Sequence, residues 1–81
     1  MPRQPEKTNL LDSAGYVYNF ERMMYINRQA KKAFSFEFID DNPESVIASR
    51  IQEPNRKRDW LIYTSLQMSE GTRKELNRVL Q

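Results

Sequence analysis

The chain contains no cysteine and no histidine. Without cysteine there can be no disulfide, no thiolate metal site and no cysteine nucleophile. A secreted domain this small ordinarily leans on disulfides, so the expected setting is a reducing one, the cytoplasm. Without histidine the commonest general base and the commonest nitrogen ligand of transition metals are missing. Only two glycines occur, Gly15 and Gly71, too few for a phosphate-cradling loop. No apolar run approaches the roughly 20 residues of a membrane-spanning helix. No apolar stretch follows residues 1–7, which speaks against a signal peptide.

What is present suits one small folded unit. The 81 residues are 38% apolar and 30% charged, and 11% are aromatic. The aromatic share separates the chain from disordered sequences, since each large ring can remove about 150–250 Å² from water. Thirteen basic and eleven acidic residues leave a formal charge of +2. A polyanion partner is compatible with that balance without being demanded by it, because dedicated nucleic-acid binders carry a stronger, clustered excess.

Along the chain, residues 1–13 read as a flexible N-terminal arm ahead of a single domain over 14–81. Tyr16, Tyr18, Phe20, Met24 and Ile26 fall at even positions, as one strand requires, with a bulge near Glu21 and Arg22. Phe34, Phe36 and Phe38 alternate with Ser35 and Glu37 as a return strand over 33–39, joined by a polar loop. Residues 19–33 also fit a helix, because most are good helix formers. Asn42 and Pro43 then predict a helix over 43–52, with Asn42 as its cap and Pro43 in its first turn. Pro54 stops it. Residues 60–65 are a strand with apolar residues on both faces, which points to a central position. Ser69 caps a last helix with Leu76, Val79 and Leu80 on its buried side.

The expected fold is therefore α+β in the order β-β-α-β-α. Its sheet is mixed and three-stranded, in the order 2-1-3, with two helices on one face. The second and third strands run parallel. The three alternating phenylalanines would face the helices.

No catalytic constellation is visible. Six serines lack a histidine to activate them, and no G-x-S-x-G elbow occurs. Glu37, Asp40, Asp41 and Glu44 could supply oxygen ligands to a divalent cation, but no calcium-loop spacing is present. Acids belong at a helix start in any case. The expectation is no enzyme, no metal and no cofactor.

Two surfaces remain. Val17, Met23, Tyr25 and Tyr63 are candidates for a protein interface on the sheet face the helices leave open. The cations Arg28, Lys31 and Lys32, with Arg56, Lys57 and Arg58, are candidates for polyanion binding, with tyrosines or Trp60 stacking on bases. The two basic loops are expected at the same end of the sheet. The favoured function is a non-enzymatic protein-interaction or adaptor module, with a protein partner or homodimer. The alternative is a weak nucleic-acid-binding module.

Overall fold

Two asparagines reverse the chain, Asn19 where strand alternation alone would run on and Asn27 at the start of the expected polar loop. In the computed structural model, which describes residues 5–65 and 68–80, Asn19 accepts a hydrogen bond from the Arg22 amide at 3.0 Å. Met23 then takes a left-handed conformation, φ 53°. The same device recurs eight residues later: Asn27 accepts from the Ala30 amide at 3.0 Å, and Lys31 adopts φ 56°. Asparagine favours such turns because its side chain bonds to the backbone ahead of it.

The second turn is the expected hairpin loop, and the first splits the hairpin's leading strand, giving a three-strand meander: β1 (Val17–Asn19), β2 (Met24–Asn27) and β3 (Lys32–Ser35). What reads as a bulge near Glu21 and Arg22 is a full reversal. With β4 (Leu61–Tyr63) the sheet has four strands, not three, in the order β1-β2-β3-β4. The order 2-1-3 fails because β1 already occupies the far edge of β2. The free edge is that of β3, and β4 docks there in parallel, Phe34 opposite Tyr63. The parallel relation expected between residues 33–39 and 60–65 is present. The central place expected for the last strand is not, since β4 lies at an edge with helices over both of its faces.

The return strand stops at Ser35. Its hydroxyl accepts from the Phe38 amide at 3.1 Å and caps α2 (Phe36–Asp41). The three phenylalanines therefore do not share a strand face. Phe34 is fully buried, while Phe36 and Phe38 ride on α2, half-buried. Ser35→Ala should cost about 0.5–2 kcal/mol, the usual price of a lost cap; an unchanged urea midpoint would show that α2 is held by packing alone.

Asn42 does not cap the next helix. It closes α2, its side-chain amide donating to the Phe38 carbonyl at 2.8 Å. Pro43 sits at the N-cap of α3 (Glu44–Gln52) without a side-chain bond, and its carbonyl receives the Val46 and Ile47 amides. The helix ends before Pro54, as expected.

Residues 5–13, expected as part of a loose arm, form α1 (Pro5–Ser13). Leu11 is fully buried, and the Lys7 ammonium donates to the Ile39 carbonyl at 2.8 Å. Gly15, at φ 91°, follows the helix end where a left-handed residue is needed. The last helix, α4 (Glu70–Leu80), begins as expected, with the Thr72 amide donating to the Ser69 hydroxyl at 3.2 Å.

Both sheet faces are cores. On one, Tyr25 and Phe34 meet Leu11, Tyr16, Ile39 and Ile47, so α1, α2 and α3 share that side. On the other, Met24, Ile26, Ala33, Trp60 and Ile62 meet Leu80 of α4. The expected arrangement of two helices on one face is thus replaced by helices on both. The cause is visible in β2 and β3, where consecutive residues are buried rather than alternate ones.

Candidate functional site

The candidate interface residues separate. Tyr25 is 1% exposed and belongs to the core, where its ring lies 5.1 Å from that of Tyr18. Tyr63 is half-buried, its ring stacked on Phe34 at 4.7 Å and its hydroxyl donating to Glu53 at 3.0 Å. Burial first, then the Glu53 hydrogen bond and charge, hold the Tyr63 hydroxyl well above its ordinary range. Neither ring is a docking surface, because both faces of the sheet are already covered.

Val17 and Met23 do stand in solvent, 70% and 48% exposed, and Phe20 joins them at 79%. All three belong to the β1–β2 hairpin. Phe20 was not among the sequence candidates because alternation assigned it to a strand. Its place in the turn follows from Asn19, which supplies the side-chain oxygen that bends the chain. The patch borders β1, an edge strand paired only with β2 among the described residues. No lysine, proline or acid interrupts Val17, Tyr18 and Asn19, although such residues commonly guard exposed edges.

The basic candidates also separate. Lys32 is 1% exposed, and its ammonium donates to the carbonyls of Arg50, Ile51 and Glu53, the latter two at 3.1 and 2.6 Å. It sits 5.7 Å from the centre of the Tyr63 ring. A cation there meets the negative end of α3 and is consumed by structure. Burial lowers its pKa, with the Glu53 charge acting the other way. Lys32 is therefore not a polyanion ligand. Strand alternation sends it to the face opposite Ala33, away from its neighbour Lys31.

Arg28, Lys31 and Arg58 converge instead. With Trp60 and Leu80 they line an open cleft of about 440 Å³. The two basic loops thus lie at one end of the sheet, as expected. Lys31 is the hinge between them: its ammonium donates to the Arg58 carbonyl, and its own carbonyl accepts from Leu61 and Asn55. Asn55 also donates to the Asp59 carbonyl at 3.0 Å, which fixes the second loop. Arg56 stays in solvent outside the cleft. Lys57 faces a neighbouring hollow of about 270 Å³ beside α4.

The rings expected to stack on bases are not available at this end. Trp60 is 6% exposed, and its indole N–H is buried without a partner among the described residues. The acids Glu37, Asp40, Asp41 and Glu44 border the start and end of α2 and the start of α3. Among the described residues no three acidic side chains stand close enough to share a metal ion. No helix among them is long and apolar enough to cross a membrane.

Compared with known proteins, the chain matches no family model, no curated protein and no solved structure.

Proposed function

We propose that this chain is a non-enzymatic interaction module that docks a protein strand along the free edge of β1, and that the strand is β1 of a second copy. One observation carries the reading. Of the four large apolar side chains that stand in solvent among the described residues, Val17, Phe20 and Met23 all lie in the hairpin built on that edge. An added strand would take up the unpaired backbone groups of β1 and cover part of the apolar patch.

The short edge strand fits a two-fold pairing. In an antiparallel pair centred on Tyr18, Val17 of one copy lies opposite Asn19 of the other. The pairing is isologous, so each contact occurs twice. The absence of histidine and cysteine supports the non-enzymatic part of the reading, and a chain without cysteine suits a reducing compartment such as the cytoplasm.

Sedimentation equilibrium from about 10 μM to about 1 mM, where association of roughly −4 to −7 kcal/mol is visible, tests it. The wild-type chain should show a reversible monomer–dimer equilibrium. Val17→Lys should be folded and monomeric, because the side chain is already in solvent and an edge lysine blocks strand addition. A strict monomer over the whole range, or a Val17→Lys variant that dimerises equally well, would overturn the proposal.

A further inference from the structure

The cleft between the β2–β3 turn and the loop before β4 has no part in the β1 edge. It has the features of a binding site of its own. Among the described residues its lining supplies three cationic side chains and no acidic one: Arg28, Lys31 and Arg58, over Trp60 and Leu80. The two guanidinium groups make no ion pair and no hydrogen bond among the described residues, where the one ion pair is Arg50 with Glu53. Arg58 offers its backbone carbonyl to the Lys31 ammonium.

The scaffold beneath them is fixed. Lys31 holds a left-handed conformation, φ 56°, in a turn closed by Asn27. Backbone in that region is uncommon for residues other than glycine and recurs at binding sites. Its carbonyl accepts from Leu61 at 3.0 Å and from Asn55 at 2.8 Å, so the turn and the second loop move as one piece. Cations of like charge gathered on a rigid frame repel one another in the empty cleft. An anion bridging them relieves that repulsion, and planar guanidinium forks match phosphate oxygens.

We propose that this cleft binds the phosphodiester backbone of a nucleic acid, through Arg28, Lys31 and Arg58, without reading the bases. Trp60 is buried and no exposed ring borders the cleft, so the stacking that single-strand binders use is missing. No helix among the described residues lies free to enter a groove, because α4 is anchored by Leu80 and by Asn77, which accepts the Trp60 amide at 2.6 Å. Contacts to phosphate alone position a strand and carry no sequence information.

The test is fluorescence anisotropy of short single- and double-stranded DNA of mixed sequence against salt concentration. With three cations engaged, log K against log salt should have a slope between about −2 for single strands and about −3 for duplex. Arg28→Gln and Arg58→Gln should each flatten the slope by about one unit and weaken binding roughly tenfold at about 50 mM salt. Arg22→Gln, at the opposite end of the sheet, removes the same charge and should leave binding unchanged. Circular dichroism of each variant should match the wild type, since all three arginines are exposed. No binding at low ionic strength would overturn the proposal, as would an Arg22→Gln loss equal to that of the cleft variants. So would saturable binding of inorganic phosphate or a mononucleotide that DNA does not displace, which would assign the cleft to a small phosphate ligand instead.

Discussion

Phe34→Ala is expected to leave the chain largely unfolded at room temperature. Phe34 is fully buried at the middle of the first core. Its ring touches three others, Tyr16 edge-on at 5.3 Å, Phe38 at 5.9 Å and Tyr63 stacked at 4.7 Å. It stands on β3, between Tyr25 of β2 and Tyr63 of β4, so the cavity would open where antiparallel and parallel pairing meet. Truncating such a ring costs about 3–5 kcal/mol, against a total of about 5–15 for a domain, and a chain this short lies toward the low end. Phe36→Ala is the control. Phe36 is half-buried on α2 and belongs to neither core cluster, so its loss should cost no more than about 1–2 kcal/mol, near the typical effect of a point substitution. Urea unfolding followed by near-ultraviolet circular dichroism separates the two. If Phe36→Ala unfolds the chain and Phe34→Ala does not, the strand has not ended at Ser35.

Lys32→Met is expected to cost about 2–4 kcal/mol, although methionine fills much the same space. The ammonium satisfies three carbonyls at the end of α3. A hydrogen bond from a charged donor contributes about 1.5–3 kcal/mol, and acceptors left without a donor add to the loss. The variant also has a pH signature. Burial lowers the Lys32 pKa from its ordinary 10.5, so the folded chain releases that proton before the unfolded chain does. Between the lowered value and 10.5 the unfolded state binds more protons, and this group makes stability rise with pH. Tyr16 acts in the opposite sense. Burial pushes its hydroxyl from 10.0 up to about 12, so its contribution is intact below pH 10 and is lost as pH climbs through about 12. Lys32→Met should abolish the rise and keep the fall. A variant as stable as wild type at neutral pH would mean that water caps α3 adequately.

Some of this architecture is legible in the residues. The Ser69 cap and the stop at Pro54 follow from local chemistry, and the direction of residues 60–65, parallel to the strand before α2, follows from the helical crossover, though their pairing partner does not. The first turn is hidden because Asn19 sits inside an alternating run and no glycine marks the reversal, Met23 taking the left-handed position; the second shows in the residues as the polar loop from Asn27 to Lys32. Alternation also overran Ser35, since Phe36 and Phe38 continue a period of two while a serine side chain has already begun a helix. In α1 the apolar content is a leucine pair, so its helical pattern is faint; Gly15 marks its end but not its existence.

The site divided along the same line. Arg28, Lys31 and Arg58 could be grouped from sequence because two loops at one end of a sheet must meet. Lys32 could not be separated from Lys31 until the register was known, since one residue along a strand reverses the face. Tyr25 and Tyr63 passed for surface residues only while one sheet face was taken to be open. Once α4 covers Met24, Ile26 and Ile62, the large apolar side chains left in solvent among the described residues lie in the hairpin at β1, Val79 of α4 aside.

The claim that β1 is the docking edge is tested most directly by amide chemical shifts of the wild-type chain in a dilution series. As concentration rises, resonances of residues 17–23 should move together along one binding curve. Shifts that stay fixed at every concentration, or that move instead in α4 or around Arg28 and Arg58, would contradict it.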